Sequence, residues 1–190
     1  MRKLLAVTLL LGLGSLPMMA QDNPRVEVFG GFQYLHVGAI TVNGVKESNS
    51  QGYNGWNASG AGYLNKYFGV EGDVSGGYAT TFPVSTHVYT YTGGPIVSAN
   101  TGIIKPFAHA LFGGIRVSNS SGSVSIAQTG FTMMVGGGVD ARVYRALAVR
   151  IAQVDWLYYH FGNQLIGTTN IPSFSQSNNV RISTGLVFRF

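Results

Sequence analysis

The sequence predicts an all-β protein, an eight-stranded antiparallel up-and-down transmembrane β-barrel. Large apolar residues alternate with polar or small ones along several segments, which is the two-residue period of a strand with one apolar face. Charged residues make up only 10% of the 190-residue chain, whereas soluble domains carry about 25%. The connections between the candidate strands alternate between short and long, as they do in membrane barrels.

The amino-terminal segment, residues 1–20, has the three parts of a secretory signal peptide. It begins with two basic residues, continues with an apolar, uncharged run over residues 4–16, and ends at Ala20 before a polar segment. We expect cleavage after Ala20, which leaves residues 21–190 as a single outer-membrane barrel domain. A transmembrane anchor is the alternative, but it needs about 20 apolar residues, more than this run contains.

The charge balance of the chain is mildly basic. Removal of the signal lowers the formal net charge from +5 to +3, because Arg2 and Lys3 leave with it and all seven acids remain. The remaining basic residues are scattered, without the cluster of a nucleic-acid-binding surface, so we expect no nucleic-acid partner. With no cysteine in the chain, no disulfide contributes to its stability.

Eight segments have the alternation and the flanking turn residues of strands. Three connections are short, at residues 65–67, 98–104 and 143–146, and others are long and polar, with 119–123 the clearest example. We expect the short turns on the periplasmic side and the long loops outside the cell. The predicted strands are residues 25–37, 54–64, 68–79, 86–97, 105–117, 130–142, 147–159 and 179–190.

The first three strands and the sixth show the alternation most clearly. Their apolar positions are predicted to face lipid and their polar positions to face the lumen. The predicted lipid-facing residues are Val26, Val28, Phe32, Tyr34, Trp56, Leu64, Val70, Val74, Tyr78, Phe131, Met133, Val135 and Val139. The residues predicted to face inward are Glu27, Gly31, Gln33, Asn57, Ser59, Tyr63, Glu71, Asp73, Ser75, Thr132, Gly136, Gly138, Asp140 and Arg142.

The fifth and seventh strands depart from this pattern. His109 lies at an apolar position of the fifth strand, and the sequence offers no explanation for it. In the seventh strand Gln153 and Asp155 share one face, but Arg150 falls on the other. A β-bulge near Ile151 would reconcile the three residues, and a position of Arg150 at the membrane rim is the alternative.

The last strand has the most informative pattern. Large apolar residues occupy every second position from Leu186 to the end, and the chain stops on the aromatic Phe190. Residues 183–190, STGLVFRF, fit the order polar, any, Gly, any, any, hydrophobic, any, hydrophobic. With the signal and the Gly-rich alternating strands, this end makes the mature chain similar to the OmpA-like family of small outer-membrane β-barrels.

The resemblance implies a location and a route of assembly. Members of this family reside in the bacterial outer membrane, in contact with membrane lipids. The outer-membrane assembly machinery inserts them after periplasmic chaperones escort the chain. We expect a monomer without a cofactor, and no wall-anchoring role, because no further domain follows residue 190. Family members differ in function, so the resemblance predicts the location and fold rather than the role.

The predicted lumen carries charges of both signs. An eight-stranded barrel is just wide enough for its own side chains to fill it, and buried charges must pair. We therefore interpret these charges as an ion-pair network that fills the lumen, with a narrow, gated ion path as the alternative. The acids are Glu27, Glu71, Asp73, Asp140 and Asp155, and the bases are Arg116, Arg142, Arg181 and Arg189.

The chain offers little for catalysis or metal binding. A membrane hydrolase needs a nucleophile beside a histidine, and the only candidates are Ser85 with His87, and His160. Neither matches a hydrolase motif, so we predict no catalytic residue, no cofactor-binding residue and no metal site. Residues 136–138 are three consecutive glycines without dinucleotide-loop spacing, and lumen crowding or barrel curvature is the favoured reason for them.

The preferred hypothesis is a barrel with a largely closed lumen and a structural or surface-interaction role through its extracellular loops. A small-solute channel is the first alternative, and it requires an open lumen. A barrel enzyme that modifies lipid is the second. The third is a soluble secreted β-sandwich, in which the charged face would contact water instead of a lumen.

Overall fold

A computed structural model of the chain contains a closed antiparallel barrel of eight strands. It describes residues 25–38, 41–42, 45–46, 50–81, 84–121, 124–162, 164–166, 169–171 and 173–190. The barrel strands are β1 (Val26–Val37), β4 (Gln51–Tyr63), β5 (Phe68–Thr81), β6 (Val84–Ser98), β7 (Ile104–Ser121), β8 (Val124–Tyr144), β9 (Leu147–Phe161) and β12 (Phe174–Arg189). Two small hairpins pair β2 (Thr41–Val42) with β3 (Val45–Lys46), and β10 (Gln164–Ile166) with β11 (Thr169–Ile171).

The strands follow one another around the barrel in the order β1-β12-β9-β8-β7-β6-β5-β4. Pairing of the first and last strands closes the ring, and the Phe190 amide donates to the Val26 carbonyl at 2.9 Å. The predicted eight-stranded barrel is therefore confirmed. The predicted signal segment and its cleavage site lie outside the described residues. No helix in the described residues is long and apolar enough to span a membrane.

The two ends of the barrel differ in their connections. Residues 64–67, 99–103 and 145–146 form short turns at the end that also holds Arg25 and Phe190, and we call this the turn end. The opposite end, which carries the two small hairpins, is called the loop end. The prediction of a long loop at 119–123 is wrong, because β7 continues to Ser121, which pairs with Val124. The ladder of backbone hydrogen bonds extends here along residues 118–121 of β7, which are polar on both faces and give no alternating pattern.

The outward face of the barrel is apolar, as the alternation predicts for the first three strands. Such a face is stable only in contact with lipid or detergent, because no other part of the protein covers this large apolar area. Aromatic residues lie on this face toward both ends, and the Trp56 indole donates to the Tyr78 hydroxyl at 3.1 Å. The exposed aromatic residues are Phe32, Tyr34, Trp56, Tyr78, Tyr91, Phe112, Phe131 and Trp156, and, nearer the turn end, Tyr67, Phe68, Tyr144, Phe188 and Phe190.

A β-bulge lies at Ile151, as the sequence of the seventh predicted strand suggested. Val139 pairs with Ala152 whereas the next residue, Asp140, pairs with Arg150, so Ile151 has no partner on β8. The extra residue reverses the side-chain alternation on one side of the bulge. It therefore places Arg150 in the lumen on the same face as Gln153 and Asp155, and the rim alternative for Arg150 is excluded.

Strand β7 has the opposite orientation to the one the sequence predicts. Lys105, Phe107, His109 and Leu111 face the lumen and are buried, whereas Arg116 is exposed on the outward face. The reason is that part of the lumen is itself apolar. An apolar set of alternate residues in β7 thus marks the interior, and the parity rule that identifies lipid-facing residues elsewhere gives the wrong face here.

The interior has two zones along the barrel axis. The loop-end half holds a cluster of buried apolar residues, which we call the apolar cluster. The turn-end half and the middle hold buried charges, with a smaller apolar contact among Phe29, Ala148 and Val187. The apolar cluster comprises Leu35, Tyr53, Val88, Leu111, Ile115, Met134, Leu157, Tyr159 and Phe161.

Candidate functional site: the charged lumen

Buried charges from six strands meet in the lumen and contact one another, and we call them the lumenal ion network. Eight salt-bridge contacts join its members, at 2.6 to 3.5 Å. All are at least nine-tenths buried. The members are Glu27, Glu71, Asp73, Asp140 and Asp155, with Lys105, His109, Arg150, Arg181 and Arg189.

One ion pair of the network crosses the whole lumen. The Lys105 ammonium on β7 lies 2.8 Å from the Glu27 carboxylate on β1, and these two strands lie opposite each other in the ring. Glu27 also contacts the Arg189 guanidinium at 2.8 Å and accepts a hydrogen bond from the Tyr63 hydroxyl at 3.0 Å. The ammonium lies 3.9 Å from the centre of the Tyr63 ring. This pair therefore connects opposite walls of the barrel across the lumen.

A second crossing is made by Arg181 of β12. Its guanidinium donates to both carboxylate oxygens of Asp73 on β5, at 2.8 and 3.2 Å, and to Asp155 on β9 at 2.8 Å. The Asn57 amide donates to the same Asp73 carboxylate at 2.7 Å. Such forked contacts fix both position and orientation, which is the property that distinguishes arginine from lysine. Arg181 is only 1% exposed.

His109, which the sequence left unexplained, joins two acids of the network. Its Nδ1 lies 2.7 Å from Glu71 Oε2, and its Nε2 lies 2.9 Å from Asp155 Oδ1. An ionised carboxylate only accepts hydrogen bonds, so each ring nitrogen must carry a hydrogen and the ring must be an imidazolium. The protonated ring brings the network to five positive and five negative groups, which is formal neutrality.

Gly136 supplies the space for the contact between His109 and Asp155. It lies on β8 between them, paired with His109 on one side and Asp155 on the other. A Cβ atom at this position would overlap the Asp155 carboxylate. Gly138 has a similar role, because a Cβ there would lie 2.9 Å from the Phe107 ring. Lumen crowding, the favoured reason for the three-glycine run, is therefore confirmed at these two positions.

Arg150 connects the middle of the network to its turn-end part. Its guanidinium lies between two aromatic rings, 4.2 Å from the centre of Phe29 and 4.2 Å from that of Phe107. It donates to Asp140 at 2.9 Å and to the Gln153 amide oxygen at 2.6 Å. Gln153 in turn donates to Asp155 at 2.7 Å. Stacking of a delocalised cation on aromatic faces compensates part of its lost hydration.

The structure therefore revises the predicted set of lumen charges. All five predicted acids are buried in the lumen, and so are Arg181 and Arg189. The assignment of Arg116 and Arg142 to the lumen is wrong. Arg116 lies on the outward face, and Arg142 lies near the turn after β8, where its side chain reaches solvent. Sequence reasoning missed Lys105 and left Arg150 and His109 undecided, although the Ile151 bulge gave the correct signal for Arg150.

A cavity of about 300 Å³ lies above the network, in the loop-end half of the lumen. Leu35, Val88, Ile115, Leu157, Phe161 and Phe174 supply most of its wall. Two tyrosines, Tyr53 and Tyr159, and several amide or hydroxyl side chains complete it. Among the described residues that line it, none carries a formal charge. The lumen therefore changes from charged to apolar along its axis.

Of the two histidines considered for catalysis, His87 and His160, only His160 is hydrogen-bonded to a serine in the described part of the chain. Ser85 and His87 do not hydrogen-bond to each other: the Ser85 hydroxyl lies 3.5 Å from that of Thr80, and His87 packs edge-on against Tyr78. His160 Nδ1, however, lies 2.8 Å from the hydroxyl of Ser175, which the sequence had not singled out. Every acid that the structure describes lies in the lumen, so within the described residues no carboxylate orients this histidine.

The Tyr158 hydroxyl donates to the same Ser175 oxygen at 3.1 Å. The pair is exposed on the outward side of the barrel beside a tyrosine, and hydrogen bonding among surface side chains accounts for it. In the described part of the chain, no group of three or more His, Asp or Glu side chains is placed to hold a metal ion.

Comparison with known proteins supports the fold. No protein-family model and no curated protein matches the chain. Among solved structures, Neisserial surface protein A is similar with a TM-score of 0.64 and 16% identity, over 90% of this chain and 100% of that chain. Ail, the attachment invasion locus protein of Yersinia pestis, gives 0.54 and 15% over 88% and 99%.

The N-terminal β-barrel domain of Pseudomonas aeruginosa OprF gives a TM-score of 0.54 and 13% identity, over 89% of this chain and 100% of that domain. Identities this low establish the fold and leave the function open. With the closed ring of eight strands and the apolar outward face, they identify the chain as a small eight-stranded β-barrel of the outer-membrane type.

Proposed function

We propose that the protein is a bacterial outer-membrane barrel whose lumen is closed to solutes, with a structural or surface-interaction role. The observation that carries the proposal is the ion pair between Lys105 and Glu27, which joins opposite walls of the barrel. In this proposal the barrel is surrounded by membrane lipids, since apolar side chains cover its outward face. Insertion by the outer-membrane assembly machinery, after escort by periplasmic chaperones, is part of the same proposal, as is a monomeric state.

Two features of the network support closure. Its charges balance once His109 is protonated, so no unpaired charge is left to attract a counter-ion into the lumen. The Arg181 guanidinium is also held by two carboxylates, those of Asp73 and Asp155, so loss of one contact does not free it. A conducting barrel needs mobile charges that bind ions weakly enough to release them. Arg181 and Asp73 are instead fully occupied by each other and by their neighbours.

Solute flux into liposomes tests the proposal. Wild-type protein, reconstituted at equal density with each variant, should give swelling in a small neutral sugar no faster than protein-free liposomes. Lys105→Ala and Arg181→Ala remove cross-lumen contacts and should raise the rate. Arg116→Ala and Arg142→Ala are the matched controls, because they remove the same kind of charge outside the lumen and should leave the rate unchanged.

The channel alternative gives a different pattern in the same assay. An open lumen predicts fast swelling of wild-type liposomes, with a rate that falls as the size of the sugar increases. It also predicts that Lys105→Ala changes the rate little, since the path would already exist. That result would replace the closed barrel with the channel.

A surface-interaction role has support at the loop end. The hairpin of β7 and β8 continues beyond the outward-facing aromatic residues, and its tip is polar. One structural neighbour is named as an attachment protein, and we extend that role to this chain as a proposal. Bacteria that display the protein should adhere to cultured epithelial cells better than bacteria with residues 118–127 replaced by a two-residue turn. Equal adhesion at equal surface levels would contradict the role.

We propose that the protein is not an enzyme. Catalysis by Ser175 would need a carboxylate to orient His160 and donors for the developing negative charge. Membrane lipids extracted from cells that express wild type, Ser175→Ala or His160→Ala should have the same composition. A lipid species that wild type produces and both variants lose would establish the hydrolase alternative.

A further inference from the structure

We propose that the cavity in the loop-end half of the lumen binds a small, uncharged molecule with a fused-ring or similarly bulky apolar body and one hydroxyl group. This inference goes beyond the closed barrel, because the cavity lies above the lumenal ion network and does not require transport past it. Its volume of about 300 Å³ is at the lower end of the range of small-molecule sites.

The wall of the cavity is aromatic on one side. Phe161 and Phe174 stack with ring centres 5.1 Å apart, and Tyr159 meets Phe161 edge-on at 5.5 Å. Leu35, Val88 and Ile115 supply aliphatic surface from other strands. An apolar cavity lined in this way gains little from water, whereas a flat apolar molecule contacts every wall.

The polar groups next to the wall are already satisfied by one another. The Tyr159 hydroxyl donates to the Gln176 amide oxygen, and the Gln176 amide nitrogen donates to the Gly38 carbonyl. The Asn179 amide accepts from the Gly38 amide at 3.3 Å and donates to the Leu157 carbonyl at 3.1 Å. These bonds fix the shape of the site, so a ligand meets a preformed surface and the binding free energy is not spent on ordering it.

The absence of charge among the described lining residues determines the class of ligand. An ionic group brought into this wall would lose its hydration and find no counter-charge, because the nearest charges are paired within the network. Gln128 and Asn119, amide residues of the lining, provide hydrogen-bond partners for one neutral hydroxyl group. The site therefore favours a neutral alcohol over an anion of the same ring size.

Calorimetric titration of the protein in lipid nanodiscs tests whether the cavity binds a neutral alcohol in preference to an anion. The probe is 2-naphthol, and 2-naphthalenesulfonate is its charged counterpart. Empty nanodiscs measure partition into lipid. The Val88→Phe variant fills the cavity, and Val135→Phe places the same ring on the outward face. Val117→Phe, a second filling variant, serves if Val88→Phe does not fold. A shift in gel mobility on boiling reports whether each variant folds.

We expect 2-naphthol to bind wild type and Val135→Phe equally, and a filling variant at least tenfold more weakly. The sulfonate should bind none of them beyond the empty-nanodisc signal. The proposal is overturned if 2-naphthol gives no more heat with protein than with empty nanodiscs. It is also overturned if a folded filling variant binds like wild type, or if the sulfonate binds as well as the alcohol. Solute flux is measured separately, so the closed-lumen proposal does not depend on these results.

Discussion

At the scale of single residues, a few positions of the lumen have strict requirements for the shape and hydrogen bonding of the side chain. His109 must donate from both ring nitrogens, which neither glutamine nor lysine can do in that geometry. Gly136 must lack a side chain so that His109 and Asp155 meet across β8. Arg150 must be flat and charged to lie between Phe29 and Phe107. Each requirement arises from packing in a narrow barrel.

Replacing His109 by alanine should lower the free energy of unfolding by about 3 kcal/mol, because it leaves two buried carboxylates without their common partner. Urea unfolding in lipid vesicles measures this. A double-mutant cycle with Glu71→Ala provides the control, since the two losses should not add when both groups belong to one contact. Full additivity would show that His109 and Glu71 do not interact energetically.

Gly136→Ala should lower the free energy of unfolding by about 1–3 kcal/mol, because the added methyl group overlaps the Asp155 carboxylate. Gly72→Ala is the matched control on β5, where a Cβ atom meets nothing within 4 Å. Both replacements reduce the freedom of the unfolded chain to the same extent. Equal stability of the two variants would mean that Gly136 is not required for space.

At the scale of strands, sequence alternation distinguishes the lipid-facing side from the lumen-facing side only where the lumen is polar. It succeeded at the polar lumen residues of β1, β4 and β5, such as Gln33, Asn57 and Asp73, and the position of Arg150 correctly indicated the bulge in β9. It failed in β7, because Leu111 and Ile115 line an apolar part of the lumen. Arg116, which lies on the outward face of this strand, was therefore wrongly assigned to the lumen.

Leu186→Arg should cost about 2–4 kcal/mol if Leu186 lies near the bilayer midplane, and less nearer the interface, because Leu186 is on the outward face of β12 where a charge would enter lipid. Leu64→Arg is the control: it lies on the turn after β4 and should cost at most about 1 kcal/mol. Ser183→Arg is also expected to be destabilising, since Ser183 is buried in the lumen. A harmless Leu186→Arg with a damaging Leu64→Arg would reverse the assignment of membrane depth.

Removal of Phe190 should impair assembly more than removal of Ser121. Phe190 hydrogen-bonds through its backbone to Val26 and Arg25, so its loss removes the hydrogen bonds at the turn end of the seam between the first and last strands. Ser121 lies at the tip of a hairpin, where a deletion changes only the local pairing. Quantification of the folded, heat-modifiable form in the outer-membrane fraction compares the two. Equal levels would argue against a special role of the terminal residue.

At the scale of the whole molecule, the barrel combines an apolar outward face, the lumenal ion network and an apolar cavity in the loop-end half of the lumen. The sequence predicted the ring of strands and most of the buried charges, because both leave a local pattern. It did not predict the partners of those charges. Lys105 and Glu27 are 78 positions apart and meet only because their strands occupy opposite walls. No local signal carries that information.

Planar-bilayer recording of the wild-type protein tests the central claim, that the lumenal ion network closes the barrel. We expect the current to stay at the level of the protein-free bilayer, and Lys105→Ala to introduce discrete conductance steps because it removes the bridge to Glu27. Arg116→Ala should behave like wild type. A steady, large conductance of the wild-type protein that Lys105→Ala leaves unchanged would contradict the account.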